Sequence, residues 1–356
     1  MTTDNVLARR LHGLDALRGL AAMGVLLYHY SWAYDAIGPR HAAPGLWATF
    51  PYGNFGVELF FIISGFVIVM TLERTKTARA FILSRAARLY PAFIACLCTT
   101  LLVSRVTNHS PGKGYGSQLV ANLTMAPALF GFPGLDGSYW SLQYELVFYA
   151  LAALAVLGLN IPRLEISCLV WLGCAIGIRI FWPDPTRLIQ LLTAARFAHL
   201  FIIGVMLHCL HKGQSSSLTW VTLFAALFTA SFGPHWAAEP LPVPVYVMMI
   251  AGFALAVWLA TSRWAGWMDQ APLRFLGRIS YPLYLVHQVA GFALLTRLEG
   301  WGINPNLSFA ATTVAAILLA WAISGTIEWP AQRWLRGRFA VWAGLSVKPL
   351  PVSRPI

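Results

Sequence analysis

Long apolar runs recur along the whole 356-residue chain. A helix needs about 20 mainly apolar residues to cross a bilayer, and about ten segments meet or approach that length. Only 11% of the residues are charged, well below the roughly 25% that is typical of soluble domains. The sequence therefore predicts an all-α integral membrane protein, a polytopic bundle of about ten transmembrane helices. The predicted spans are 14–34, 54–72, 88–106, 140–159, 164–182, 197–211, 217–233, 243–261, 279–298 and 308–328.

The formal net charge of +12 has a topological explanation. If the N-terminus is cytoplasmic, most Lys and Arg residues lie in segments on the cytoplasmic side, as the positive-inside rule requires. We therefore expect a multi-pass protein of the inner (plasma) membrane with both termini in the cytoplasm and no nucleic acid partner. Little chain remains outside the spans, so we expect one transmembrane domain over 1–338 and a cytoplasmic tail over 339–356.

The five cysteines form no CxxC pair, and their odd number argues against a disulfide framework. We expect them to be small apolar packing residues, and we expect no metal cofactor. The sequence gives no indication of oligomeric state.

Ionisable residues inside a membrane span are costly and are therefore functional candidates. Arg18 and His29 are eleven residues apart in the first span. At about 100° per residue they share nearly one helical face, about 16 Å apart along the axis. A histidine is a typical general base and an arginine binds phosphate or carboxylate. The alternative interpretation of His29 is a core histidine hydrogen-bonded to a neighbour.

Two carboxylates begin later spans from the outer side. Glu58 lies in "GVELFFIISGFVI" and Glu145 lies in "SYWSLQYELVFY". Either could orient a histidine and stabilise its protonated form. Each could equally be the structural partner of a cation.

Arg85 and Arg88 in "SRAARLYP" share a face at the cytoplasmic end of the third span. Two guanidinium groups on one face suit a diphosphate or an acidic head group. Ordinary anchoring of the helix by basic residues is the alternative.

Tyr281, Tyr284 and His287 in "GRISYPLYLVHQ" recur every three residues and share a helical face. Such a polar and aromatic face could line a channel for a long ligand, or it could be an interfacial belt with one buried histidine. Near the end of the chain, "TIEWPAQRW" places Glu328 close to Arg333, which predicts a structural ion pair.

Two connecting segments carry expectations of their own. Segment 107–139 is the longest outer connection, and its length suits either a lid or a plain connector. Segment 269–278, "DQAPLRFLGR", is predicted to be a short interfacial helix that leads into the ninth span.

Together these stretches resemble the acyltransferase 3 family of integral membrane acyltransferases. The resemblance covers roughly residues 9–334 and rests on motifs in a fixed order. They are "LDALRGLAAMGVLLYH" with its R-x10-H pattern, "GVELFFIISGFVI", "RAAR" with its R-x-x-R pattern, "YWSLQYELVFY", "ISYPLYLVH" and "IEWP". The chain looks like the stand-alone type, without an SGNH extension.

The resemblance implies roles for several residues. His29 resembles the catalytic histidine and Arg18 its motif arginine, while Arg85 and Arg88 resemble the pair that holds an acyl donor at the cytoplasmic side. The donor implied is acetyl-CoA or another short acyl-CoA. The implied acceptors are hydroxyl groups of polysaccharides, lipopolysaccharide, glycolipids or glycosylated small molecules. Tyr281, Tyr284 and His287 would then flank the pantetheine arm.

The resulting hypothesis is direct transfer. His29 takes the proton of an acceptor hydroxyl, Glu145 or Glu58 supports the imidazolium, and the donor of the oxyanion hole is not identified. A two-step route through acyl-His29 is the alternative mechanism. The alternative functions are a proton-coupled transporter or flippase of an anionic substrate, against which the lack of an internal repeat argues, and a non-catalytic family member.

Overall fold

The computed structural model describes residues 3–36, 45–75, 77–107, 115–159, 163–182, 186–233 and 241–342. Residues 343–356 of the predicted tail 339–356 lie outside the described residues. Residues 108–114 of the predicted outer connection do so as well. The α-helices are α1 (Thr3–Tyr28), α2 (Tyr34–Ala36), α3 (Gly56–Thr75), α4 (Ala78–Val106), α5 (Tyr115–Leu123), α6 (Trp140–Ala153), α7 (Leu164–Phe181), α8 (Arg187–Thr193), α9 (Ala198–His211), α10 (Ser217–Thr229), α11 (Val243–Thr261), α12 (Ala271–Gly300), α13 (Pro305–Ile323) and α14 (Trp329–Trp342).

The predicted all-α fold class is confirmed, since no β-strand occurs in the described ranges. Eight helical segments are long and apolar enough to cross a membrane. These segments are Gly53–Thr75, Ala78–Val106, Gly137–Gly158, Leu164–Phe181, Arg187–His211, Val243–Thr261, Ala271–Gly300 and Pro305–Phe339.

Two further predicted spans are also helical. Ser217–Phe232 is an apolar helix that is shorter than the eight. The first predicted span coincides with three consecutive helical elements. They are α1, the π-helical segment His29–Ala33 and the short α2. The polar side chains of Asp15, Arg18 and His29 interrupt the apolar run of this span, which separates it from the eight. Each of the ten predicted spans therefore corresponds to a helix.

Two helix pairs form the centre of the bundle, α1 against α12 and α3 against α9. The second pair is in very close contact, because a Cβ at Gly204 would overlap the Ile62 carbonyl oxygen and one at Gly65 would overlap that of Phe201. Small residues allow membrane helices to approach in this way. Helices α4 and α13 pack on the other sides of α12. Helix α12 therefore packs against α1 and α4, which carry Arg18, Arg85 and Arg88, and against α13.

The outer helices expose large apolar side chains. Val170 on α7, Phe224 on α10, Leu255 on α11 and Leu318 on α13 are all exposed. In water such a surface would favour aggregation, whereas a surface of this kind suits contact with lipid.

Segment 269–278 was predicted to be a short interfacial helix that leads into the ninth span. It is helical from Ala271 and leads into that span, but it is the first part of one continuous helix, α12, from Ala271 to Gly300. Pro272 lies in the first turn, where a proline costs no hydrogen bond. Pro282 lies inside the helix and leaves the Arg278 carbonyl without its helical donor. The Ser324 hydroxyl approaches that carbonyl at 3.5 Å, so a neighbouring element compensates for the proline.

The predicted outer connection 107–139 contains more structure than its composition suggests. Its described part holds α5 and two 3-10 helices, Pro127–Phe130 and Gly137–Tyr139. The Asn122 side chain ties these pieces together, since its amide donates to the Pro133 carbonyl and its Oδ1 accepts from the Leu135 N–H. The segment is thus folded against itself beside the bundle.

Candidate active site

The centre of the candidate site is a contact between two histidines from helices that are far apart in the sequence. His29 begins the π-helical segment that continues α1, and His287 lies in the middle of α12. His29 Nδ1 and His287 Nε2 are 3.1 Å apart, and their ring centroids are 4.8 Å apart. The close packing of α1 on α12 produces this pair. π-helical segments of this kind occur frequently at functional sites.

The hydrogen-bond partners determine which ring nitrogens carry protons. His287 Nδ1 lies 2.8 Å from the Tyr284 carbonyl oxygen, which can only accept, so Nδ1 is protonated and Nε2 of neutral His287 is an acceptor. His29 Nδ1 faces this acceptor and also the Val25 carbonyl oxygen, at 2.9 Å. Nδ1 of His29 must therefore carry the proton.

It follows that neutral His29 has its lone pair on Nε2. Among the described residues, no side chain or backbone group forms a hydrogen bond with that nitrogen. His29 is also only partly buried, whereas His287 is fully buried. The arrangement gives His29 the tautomer that a general base needs, with the reactive nitrogen pointing away from its support.

The backbone around His287 is held from two sides. The Tyr30 hydroxyl donates to the His287 carbonyl oxygen at 2.7 Å. The Tyr30 ring lies directly over Gly291, where a Cβ would overlap it, so glycine is required at this close approach. Two residues beyond His287, the Val289 N–H donates to Asp136 Oδ2 at 3.1 Å.

Asp136 was not predicted from the sequence, where it is part of a Gly- and Pro-rich connection. Its Oδ1 accepts from the Ser138 N–H at 2.9 Å and from the Ser138 hydroxyl at 2.7 Å. Burial raises the pKa of the Asp136 carboxyl, and these hydrogen bonds act in the opposite direction. Asp136 fixes the start of α6 to the middle of α12. Its position directly before "GSYW", as the N-cap of a 3-10 helix, is the only sequence signal for it.

An arginine-lined cavity of about 210 Å³ is bounded by residues of α1, α3, α4, α6, α12 and α14. One lining residue, Tyr284, also contacts the His287 ring. Arg18, Arg85 and Arg88 all line the cavity, as does Glu145, so the structure brings these four predicted residues together. The cavity is also lined by Arg336 of α14, which was not predicted as a site residue. The remaining lining residues are Phe60, Phe61, Val67, Leu89, Ser141, Leu142, Tyr149, Ser280, Tyr281 and Tyr284.

Arg85 and Arg88 are in different states within this cavity. Arg88 forms an ion pair with the carboxylate of Glu328, whose side chain is only 1% exposed. The Gln332 amide donates to both, at 3.2 Å to the Arg88 carbonyl oxygen and 3.0 Å to Glu328 Oε1. Arg85 forms no ion pair within the described chain, and its buried Nε has no hydrogen-bond partner there.

The predicted ion pair between Glu328 and Arg333 is wrong. Glu328 is buried in the π-helical segment Ser324–Glu328 that precedes α14, whereas Arg333 is exposed. A buried carboxylate is stabilised by a cation at its own depth, and α4 supplies that cation as Arg88. Glu328 therefore pairs with Arg88, which is close in space, and not with Arg333, which is close in sequence.

The two predicted carboxylates lie at different places. Glu145 Oε1 accepts from the Ser64 hydroxyl at 2.7 Å and from the Tyr149 hydroxyl at 2.6 Å, within the cavity. Glu58 is buried, does not line the cavity, and accepts from the Tyr246 hydroxyl at 2.8 Å. Within the described chain, neither carboxylate forms a hydrogen bond or ion pair with His29. Their support of the imidazolium stays a prediction.

The two tyrosines connect the cavity to the histidine pair. The Tyr281 hydroxyl donates to the Leu89 carbonyl oxygen at 3.3 Å, and Arg88 lies over the Tyr281 ring at 5.6 Å. One turn further along α12, the Tyr284 hydroxyl is 2.7 Å from the Ser141 hydroxyl, and the Tyr284 ring is 5.8 Å from the His287 ring. Polar groups therefore follow α12 from the arginines to the histidines, and His287 contacts His29 rather than the cavity.

The fold and this site define a class, a multi-pass helical membrane protein with an arginine-lined cavity next to a histidine pair. A family model described as "Acyltransferase domain" matches residues 11–325. The chain therefore belongs to the acyltransferase 3 family, as its sequence motifs predicted. No solved structure matches the chain.

Individual relatives agree with the family. The chain is 27% identical over 323 residues to the "Exopolysaccharide production protein ExoZ" of Rhizobium meliloti (strain 1021), covering 86% of this chain and 98% of that protein. It is 27% identical over 326 residues to the "O-acetyltransferase OatA" of Staphylococcus aureus (strain NCTC 8325 / PS 47), covering 78% of this chain but only 50% of that protein. It is 21% identical to the "Acyltransferase MdmB" of Streptomyces mycarofaciens, covering 92% of this chain and 93% of that protein.

Proposed function

We propose that this membrane acyltransferase moves an acetyl or other short acyl group from acyl-CoA to a hydroxyl group of a sugar, glycan, glycolipid or glycosylated metabolite. The observation that carries the proposal is the hydrogen bonding of His29 Nδ1 to the Val25 carbonyl oxygen and to His287 Nε2, which puts the lone pair of neutral His29 on Nε2. The arginine-lined cavity is connected to this pair through Tyr284, which lines the cavity and contacts the His287 ring. A base for a hydroxyl and a site for an anionic donor are the two elements that such a transfer requires.

The donor is assigned to the cavity. Arg18, Arg85 and Arg88 of α1 and α4 offer guanidinium groups in its lining. Guanidinium groups suit the phosphates of CoA because each presents several N–H donors in a planar fork. Tyr281 and Tyr284 extend the polar wall from the arginines toward His287, which fits a pantetheine arm that reaches the histidine pair.

The reaction proposed is a direct transfer. His29 Nε2 takes the proton from the hydroxyl group of the acceptor molecule. The hydroxyl oxygen attacks the thioester carbonyl carbon and forms the new ester bond. The carbon–sulfur bond breaks, and the CoA thiolate leaves and takes up the proton from the imidazolium. His287 Nε2 accepts from Nδ1 of His29 throughout, and this bond strengthens when His29 becomes a cation. Glu145, in the cavity, adds a negative charge that favours the imidazolium.

The acceptor class is proposed from the relatives. One is named for exopolysaccharide production and another as an O-acetyltransferase. Taken together, the two names support O-acetylation of a polysaccharide. The excess of basic residues in the segments assigned to the cytoplasm supports an inner-membrane protein with both termini in the cytoplasm, so that the donor enters from the cytoplasm. We further propose that 1–338 is one catalytic domain and that 339–356 is its tail.

The test is the His29→Ala variant of the full chain, purified in lipid nanodiscs. Transfer of radiolabelled acetyl from acetyl-CoA to an extract of the host's surface glycans is expected to fall by at least about 10²-fold, because the general base is removed. Stabilisation of the protein by CoA should persist, since His29 does not line the cavity. Near-normal transfer by His29→Ala would refute the assignment.

A further inference from the structure

Arg336 lies in the donor cavity although no motif includes it. It is on α14, beyond residue 325, where the family match ends. Its side chain lines the same cavity as Arg85 and Arg88 and lies within electrostatic range of both. It remains exposed, so a ligand entering the cavity can reach it.

The position of Arg336 is fixed by the neighbours of α14. Helix α14 packs on α4, and the Gln332 amide bonds to the Arg88 carbonyl oxygen and to Glu328. Arg336 is four residues after Gln332, so both lie on the same helical face, toward the cavity. The ion pair of Arg88 with Glu328 thus serves as the attachment point that presents Arg336.

The charges of the cavity do not balance. Arg88 is neutralised by Glu328, and Arg18 lies 3.4 Å from Asp15. Among the residues that the structure describes, neither Arg85 nor Arg336 forms an ion pair, and Glu145 is the one carboxylate in the lining. Two guanidinium groups that face the same space repel each other, and a ligand with several negative charges between them removes that repulsion.

We propose that Arg336 binds a phosphate group of the acyl-CoA donor together with Arg85, while Arg88 is mainly engaged by Glu328. This inference rests on the proposed function, which names the donor. It assigns a donor-binding residue to the C-terminal helix, so the cavity is complete only when α14 is docked. Arg336 makes no contact with the histidine pair, and its role is in binding rather than in proton transfer.

The test compares Arg336→Gln with Arg338→Gln in the full chain in nanodiscs. Arg338 is a matched control, because it is on the same helix, carries the same charge and lies over the Trp334 ring instead of in the cavity. Dissociation constants are measured calorimetrically for CoA and for pantetheine, which has the same arm without phosphate. We expect Arg336→Gln to weaken CoA binding by about tenfold and Arg338→Gln by less than about twofold. Pantetheine binding should be the same in all three proteins.

The outcomes separate this inference from the proposed function. If the wild type binds CoA and Arg336→Gln binds it equally well, the assignment of Arg336 is refuted and the donor is not. Equal weakening of CoA and pantetheine by Arg336→Gln also refutes a phosphate contact, because it indicates a distorted cavity. If the wild type shows no CoA binding, the proposed donor fails, and this inference fails with it.

Discussion

Replacing His287 tests whether the histidine pair is the catalytic unit. His287→Leu removes the acceptor for Nδ1 of His29, whereas the Val25 carbonyl oxygen still accepts from Nδ1 at 2.9 Å. The tautomer of His29 is therefore retained, and the loss is limited to the bond with His287. His287→Gln is the matched variant, because its amide oxygen can take the place of the Nε2 acceptor.

The expected magnitude follows from the charge of His29 during the reaction. The bond with His287 is between neutral groups in the resting enzyme and becomes charge-assisted once His29 holds the proton. A hydrogen bond to a charged group contributes about 1.5–3 kcal/mol, and about 1.4 kcal/mol corresponds to a factor of ten in rate. We expect kcat of His287→Leu to fall by about 10- to 100-fold. His287→Gln should recover most of that loss.

Steady-state kinetics with acetyl-CoA as the varied substrate provides the measurement. Because His287 contacts His29 and does not line the cavity, KM for acetyl-CoA should remain within about twofold of the wild type, with the loss in kcat alone. A raised KM with normal kcat would instead support the sequence-based prediction that His287 binds the donor. Equal losses in the Leu and Gln variants would refute the acceptor role, since only one of them lacks an acceptor.

Two further predictions concern the carboxylates near the cavity. Glu145→Gln keeps an oxygen that can accept from Ser64 and Tyr149 but removes the negative charge, so turnover should fall by about tenfold while CoA binds at least as tightly. Unchanged turnover would assign Glu145 a structural role. Glu328→Gln leaves Arg88 without its counter-charge and should destabilise the protein by about 3 kcal/mol, seen as a lower thermal midpoint. The double variant with Arg88→Gln should recover part of the loss, and a double variant less stable than either single one would contradict the pairing.

The fold could be predicted from the sequence almost completely. Apolar runs of membrane-spanning length predict helices because backbone groups inside a bilayer have no other partners. The boundaries of α12 were harder to predict, since Pro272 and Pro282 suggest breaks. Pro272 lies in the first turn of α12, where the backbone N–H has no helical hydrogen bond to lose. Pro282 leaves the Arg278 carbonyl oxygen without its helical donor, and the Ser324 hydroxyl from another element takes that place. That compensation depends on packing, which no local pattern contains.

The candidate site was predicted in its parts but not in its connections. Helical periodicity placed Arg18 and His29 on one face, and the motif order identified the arginines of α4. The contact of His29 with His287 depends on the register of α1 against α12. That register is set by close approaches, such as the Tyr30 ring over Gly291. A sequence shows that a glycine is present but not which ring requires it.

The partner of Glu328 shows why ion pairs in a membrane bundle are difficult to predict from sequence distance. Arg333 is close in the chain, yet its side chain is exposed on the surface of the bundle. A buried carboxylate obtains little from a cation in water, where charges are strongly screened, and much from one that shares its low-dielectric surroundings. Arg88 meets that condition because the start of α4 packs on the junction of α13 and α14. The same docking carries Arg336 into the cavity, so the structural ion pair and the proposed donor site are formed together.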